Sequence, residues 1–169
     1  MISVQAQDFD VAAEYAALRS EAGSPGAIVT FTGLVREIYA PEKSEPTRES
    51  AQEKVTALFL EHYPGMTEAA LEAILLEAGR RWLIQAGRII HRIGELLPTE
   101  QIVFVGIASA HRGDAFAAAE YIMDYLKTQA PFWKKQYSSS DSVWIESRDS
   151  DHDAAARWQN ANKSPKVKA

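Results

Sequence analysis

The run QIVFVGIASA at Gln101–Ala110 is the most strand-like in the chain, and it leads directly into an amphipathic helical pattern. A near-continuous apolar run of this length belongs in the buried middle of a sheet. The pattern from about Gly113 to Gln129 places Phe116, Ala119, Ile122, Met123 and Leu126 on one stripe, which is a helix that needs a surface to pack on. Ala130-Pro131 ends it, because the residue before a proline disfavours helical geometry.

Other elements group around this unit. Phe9–Ala22 reads as a short helix, with Val11, Ala12, Tyr15 and Leu18 at helical spacing, broken by Gly23, Ser24, Pro25 and Gly26. Ala27–Val35 reads as a strand, and Gly33 inside it marks a bulge or a close backbone approach. Val55–His62 reads as a second strand. A turn at Tyr63–Met66 follows, with Thr67 as a candidate N-cap of a helix reaching about Gln85 and Gly87 at its C-terminal cap. Arg88–Leu96 and Val143–Ser147 read as strands, and Phe132–Tyr137 as a basic-aromatic stretch. The predicted class is α+β, or a mixed sheet with helices packed on one face. One domain is expected over residues 1–160, with a flexible, charged loop over 37–54 and a disordered tail over 161–169.

Composition narrows the chemistry. A formal net charge of −5 supplies no general basic surface, so nucleic acid is not an expected partner. The chain has no cysteine, which excludes disulfides, thiolate metal sites and a cysteine nucleophile. Any sulfur chemistry would have to use sulfur carried by something else. The four histidines show no metal-ligand spacing, so neither metal nor cofactor is expected. MISVQAQDFD lacks the basic and apolar regions of a signal peptide, and no run approaches a membrane span. A cytoplasmic protein is expected.

Two cationic clusters could carry chemistry. His111-Arg112 lies at a strand-to-helix junction, where free amides and the helix dipole favour anions and an Arg fork fits phosphate. The same pair could simply close a surface loop. Lys127, with Lys134 and Lys135, flanks Pro131, Phe132 and Trp133. Aromatic neighbours can make a lysine usable as an acid or base, yet a lysine at a helix C-terminus is also favoured by the dipole alone. Arg36 and Arg148 close strands, and each alone reads as a solvated end residue. His62 and His91 sit in apolar strands and read as structural histidines.

Sixteen positions along one helix separate His111 from Lys127 by on the order of 20 Å. Either one cluster alone is functional, or a second copy brings its His111-Arg112 to this copy's Lys127 across a homodimer interface.

Six stretches in order — VTFTGLVR, LEHYPGM, IHRIGEL, VFVGIASAHR, YIMDYLKTQAPFWKK and WIESR — resemble the molybdopterin synthase large, catalytic subunit family along nearly the whole chain. The resemblance implies an α/β hammerhead-type mixed sheet with helices packed on it plus a small antiparallel β subdomain. It implies a homodimer that forms a heterotetramer with two small ubiquitin-like sulfur-carrier subunits. Each carrier's C-terminal Gly-Gly tail, as a thiocarboxylate, would deliver sulfur. The substrate would be cyclic pyranopterin monophosphate, converted to molybdopterin by two sulfurs for the molybdenum cofactor. By the same resemblance Arg36, His111 and Arg112 would bind the substrate phosphate. Lys127 would be the leading acid-base candidate, Lys134 would guide the carrier tail or stabilise negative charge, and Lys135, Gln136 and Arg148 would line the substrate site. The sequence departs from the family pattern at Leu34, where relatives often carry lysine, at Gln136, where relatives can have glutamate, and in a longer loop from Tyr39 to Lys54.

Two other readings stay open on the residues. One is a scaffold that only binds a ubiquitin-like partner. The other is a different phosphate-ester enzyme using the same cations.

Overall fold

The computed structural model describes residues 1–37, 54–139, 141–145 and 149–160. Most of the loop expected over 37–54, the tail over 161–169 and Arg148 lie outside these residues.

The described elements run β1 (Ile2–Gln5), α1 (Val11–Ala22), β2 (Ala27–Leu34), β3 (Val55–His62), α2 (Met66–Arg81), β4 (Ile84–Arg92), β5 (Gly94–Leu96), β6 (Gln101–Ser109), α3 (Arg112–Gln129), β7 (Phe132–Ser138), β8 (Ser142–Ile145) and α4 (Asp149–Asn160). They form two four-stranded sheets, ordered β1-β4-β6-β2 and β5-β3-β7-β8. In the first, β1 runs parallel to β4, while β6 pairs antiparallel with β4 and β2. The second is antiparallel throughout. The α+β class holds, and the second sheet is the expected small β subdomain.

The alternation of the strands decides where the helices go. Ile89, Val103, Val105 and Ile107 pack in one buried cluster with Leu71, Ile74 and Ala78 of α2 and Ala115, Ala118 and Ile122 of α3. Ile90 and Phe104 point the other way and meet Phe9 at the entry to α1. Helices therefore cover both faces of the first sheet rather than one, which explains why β6 reads as continuously apolar. Small residues let α3 lie close to the sheet, since Ala115 and Ala118 are fully buried. On the α1 face, buried Arg88 donates to Glu14 at 2.7 Å and pairs with Glu21, tying β4 to the helix.

Local chemistry sets the helix starts. The Asp10 carboxylate accepts from the amides of Ala12 and Ala13, capping α1. The expected cap on α2 is different. Gly65, at φ 81°, is its N-cap, and Glu68 reaches back to the Gly65 amide at 2.7 Å. Thr67 lies inside the first turn, fully buried. Its hydroxyl accepts from the Tyr63 amide and donates to the Pro131 carbonyl, each at 3.1 Å.

Three further boundaries differ from expectation. α2 stops at Arg81, and Trp82 is extended because its ring packs edge-on against Tyr121 and Trp158. Gly87 is then a residue of β4, not a cap; a Cβ there would come within 2.6 Å of Leu75 Cδ1. The single strand expected over Arg88–Leu96 is two, because Gly94 at φ 84° turns the chain out of the first sheet and into the second. Gly33 is both things predicted for it: the register shifts between Gly33 and Leu34, and a Cβ would sit 2.7 Å from Val103 Cγ1. The basic-aromatic stretch is strand β7.

Candidate functional site

The end of α3 turns straight into β7, and this junction builds a cleft of about 430 Å³. Ala130 leaves the helix with extended backbone (φ −77°, ψ 125°), and the Phe132 amide donates to the Ala130 carbonyl at 2.9 Å. The buried Thr67 hydroxyl holds the carbonyl between them, so the start of α2 pins the turn. As a result Lys127, from the last turn of α3, and Lys134, from β7, line the same cleft. Phe132 and Trp133 form part of its wall, Trp144 and Ile145 of β8 another part, and His152 of α4 reaches it from the side.

Strand alternation sorts the basic stretch. Lys134 shares a face of β7 with Phe132 and Gln136, which stands opposite Val143 of β8. Lys135 falls on the other face, with its ammonium 5.3 Å from the centre of the Tyr137 ring and 5.7 Å from that of Trp144. Lys135 does not line the cleft.

His91 closes the cleft from β4. Its ring stacks on Phe132, with centroids 3.8 Å apart and planes 19° from parallel. Its Nδ1 is 2.8 Å from the Arg92 carbonyl, so in the neutral ring that nitrogen donates and Nε2 is left as an acceptor. Burial pushes its pKa down to about 3, and electrostatic interaction with Lys134 and His62 adds to the shift. His91 is therefore an uncharged imidazole at neutral pH. Sequence reasoning assigned it a structural role alone. The stacking supports that role, but the ring also forms part of the cleft wall.

Lys127 is ion-paired. Its Nζ lies 3.0 Å from Asp151 Oδ1 of α4. Neither α4 nor this pair was anticipated. The available signal was the acidic start DSDHD followed by an alanine run and Arg157, a helix pattern by its charge order.

The remaining candidates lie elsewhere in the copy. His111 is the N-cap residue of α3, with an extended backbone and no side-chain capping bond, and both it and Arg112 are exposed. The His111 amide is 3.3 Å from the Ser109 hydroxyl, which itself donates to the Leu83 carbonyl. Gly26 packs beneath, where a Cβ would meet the Ala110 carbonyl oxygen at 2.2 Å. Arg36 is exposed just past β2, following Val35, which is bonded through its backbone to Glu100 and Thr99. One copy thus unites Lys127 and Lys134 and keeps Arg36, His111 and Arg112 out of the cleft's lining. Among the described residues no group of His, Asp and Glu could hold a metal ion, and no helix is long and apolar enough to cross a membrane.

The family model described as MoaE protein matches residues 4–129. The chain belongs to the MoaE family. The molybdopterin synthase catalytic subunit of Vibrio cholerae is 52% identical over 158 residues, covering 94% of this chain and 97% of that protein. The catalytic subunit from Escherichia coli K12 is 50% identical over 157 residues, covering 93% and 97%. Among solved structures, the molybdopterin biosynthesis MoaE protein from Burkholderia ambifaria superposes with a TM-score of 0.76 at 48% identity, covering 94% of this chain and 97% of that one. The matches extend through the cleft and onto α4, well past the end of the MoaE family model.

Proposed function

We propose that the protein is the catalytic subunit of a molybdopterin synthase and that sulfur transfer takes place in the Lys127–Lys134 cleft. The convergence of these two lysines on one cleft carries the reading. The substrate is cyclic pyranopterin monophosphate, and the sulfur comes from the thiocarboxylated Gly-Gly tail of a small ubiquitin-like carrier. Two carrier visits supply the two sulfurs of molybdopterin. A chain without cysteine has no thiol of its own to donate, which is consistent with a sulfur that arrives on a partner.

The roles follow from charge and placement. Phosphate and thiocarboxylate are both anions, and two cations in a cleft walled by aromatics attract them despite the net charge of −5. Lys127 serves as the acid-base group beside the attacked carbon. Lys134 stabilises the charge that develops as the cyclic phosphate opens and orients the carrier tail. The uncharged His91 wall leaves the lysines as the ionic partners while offering one acceptor.

The 18-residue α3 keeps His111 and Arg112 at the far end from Lys127, about 24 Å away by helical rise. We propose that a second copy in a homodimer brings its His111 and Arg112 to this cleft, where they hold the substrate phosphate with Arg36. Lys135, Gln136 and Arg148 are assigned to the outer substrate site, and two carriers complete a heterotetramer. The cytoplasm is the proposed compartment.

The test is a reconstitution. Purified protein is mixed with thiocarboxylated carrier and cyclic pyranopterin monophosphate, and molybdopterin is followed as its fluorescent oxidation product. Product that requires both additions supports the reading. Carrier binding without product would point to a scaffold, and turnover without carrier to another phosphate-ester enzyme.

A further inference from the structure

Helix α4 packs along α3, and the charges between them run in opposite order on the two helices. At the far end, Arg157 Nη2 lies 2.7 Å from both Glu120 Oε1 and Asp124 Oδ2, and the Trp158 indole donates to Asp124 at 2.7 Å. The Trp158 ring meets Trp82 and Tyr121 edge-on, and Arg81 donates to the Trp158 carbonyl at 3.1 Å. At the near end the signs reverse: α3 presents the cation, Lys127, and α4 the anion, Asp151. Asp151, Ala155 and Trp158 recur at helical spacing, and Ala155 is buried. This stripe faces α3. An aromatic anchor at one end and opposite charges along the stripe fix the register that sets Asp151 against Lys127.

We infer that Asp151 is a positioning residue that holds the Lys127 ammonium in the cleft, and that α4 is the part of the catalytic machinery that carries it. The inference rests on the proposed acid-base role of Lys127. A lysine has a compact charge on a flexible four-carbon stem, so by itself it samples many positions. Acid-base work requires the proton within hydrogen-bond reach of one reacting atom, and small misplacements are expensive in rate. The Asp151 side chain is only 20% exposed, against 45% for Lys127, so the better-fixed partner is the carboxylate. A carboxylate beside a site for anionic substrates is a poor substrate ligand. Its chemistry suits a cation, and among the described residues Lys127 is the one it touches. Stabilising a helix start explains an acid in the first turn of α4, but it does not require that the acid meet the cleft lysine.

The experiment uses the full chain in the reconstituted synthase, with wild type, Asp151→Asn and Asp151→Glu. Asp151→Asn is expected to lower kcat by about 10-fold or more while KM for the pterin changes by less than about twofold. Asp151→Glu should recover most of the loss, and thermal unfolding should be nearly the same in all three, because a partly exposed ion pair contributes little to stability. In parallel, acylation of Lys127 by an amine-reactive ester, read by mass spectrometry without substrate or carrier, should be several-fold faster in Asp151→Asn. An unchanged kcat would overturn the inference. So would a lower KM at unchanged kcat, because the pair would then be a competitor of the anionic substrate. An inactive wild type would instead sink the synthase reading itself, and Asp151 would then position nothing catalytic.

Discussion

At the scale of single residues, the useful contrast is between the lysines and His91. Lys127, His111 and Arg112 stand at element ends and Lys134 just inside β7, where a charged side chain next to Pro, aromatics or a helix start carries a message that spacing reveals. His91 stands in an apolar run near the end of β4, and nothing in IHRIGEL separates a packed imidazole from one that walls a cleft. What distinguishes it is tertiary: the stack on Phe132, the bond to the Arg92 carbonyl and the proximity of Lys134. These have a measurable consequence. His91 has its folded pKa pushed from the usual 6.5 to about 3, so the unfolded chain takes up that proton first as pH falls. The stability it contributes is complete above about pH 6.5 and declines toward pH 3, by up to about 1.4 kcal/mol per pH unit. Urea unfolding of wild type and His91→Gln at pH 7 and pH 5 should show a smaller loss on acidification in the variant. Equal losses would mean that His91 is protonated in the folded protein.

At the scale of elements, propensity and pattern located β2, β3, β6 and β8, merged β4 and β5 into one strand, missed β1 and left β7 as a basic-aromatic stretch, and they located α1, α2 and α3. They erred where packing overrides local preference. The helical spacing of α2 continues formally through Trp82, but the ring is drawn into the Tyr121–Trp158 cluster and the chain is already extended. α4 escaped notice because its N-terminal charges resemble a solvated tail until α3 supplies the opposite charges. Thr67 was legible as a helix-start residue but not as the link between α2 and the α3–β7 turn. Thr67→Val keeps the shape and removes both hydrogen bonds, so it should destabilise the fold by about 1–3 kcal/mol in urea unfolding. It should also lower turnover, since the Pro131 carbonyl that orders the cleft loses its donor. At the other end of α3, Gly26→Ala places a Cβ against the Ala110 carbonyl oxygen. That should displace the segment leading into His111, raise KM for the pterin phosphate and leave carrier binding by Lys134 intact, as titration with the unmodified carrier would show.

At the scale of the whole molecule, the first sheet and its helices serve to hold the two cationic clusters at opposite ends of α3. The sequence shows this separation through residue counting alone, and the fold keeps it: α3 runs as one helix from Arg112 to Gln129. A functional site that needs both clusters is then complete only in a dimer. Mixing Arg112→Ala with Lys127→Ala subunits, after dissociation and reassembly, should restore about a quarter of wild-type activity, because random pairing makes half the dimers mixed and each mixed dimer has one intact site. Activity no higher than the sum of the two parents would show that each copy works alone.

Chemistry in the cleft is tested by molybdopterin formation with Lys127→Ala in the reconstituted system, with carrier affinity measured on the same sample. Product should fall by about 100-fold or more, while the unfolding temperature and carrier binding stay near wild type. Turnover near the wild-type rate would contradict this, and the chemistry would have to be placed outside the cleft that Lys127 and Lys134 share.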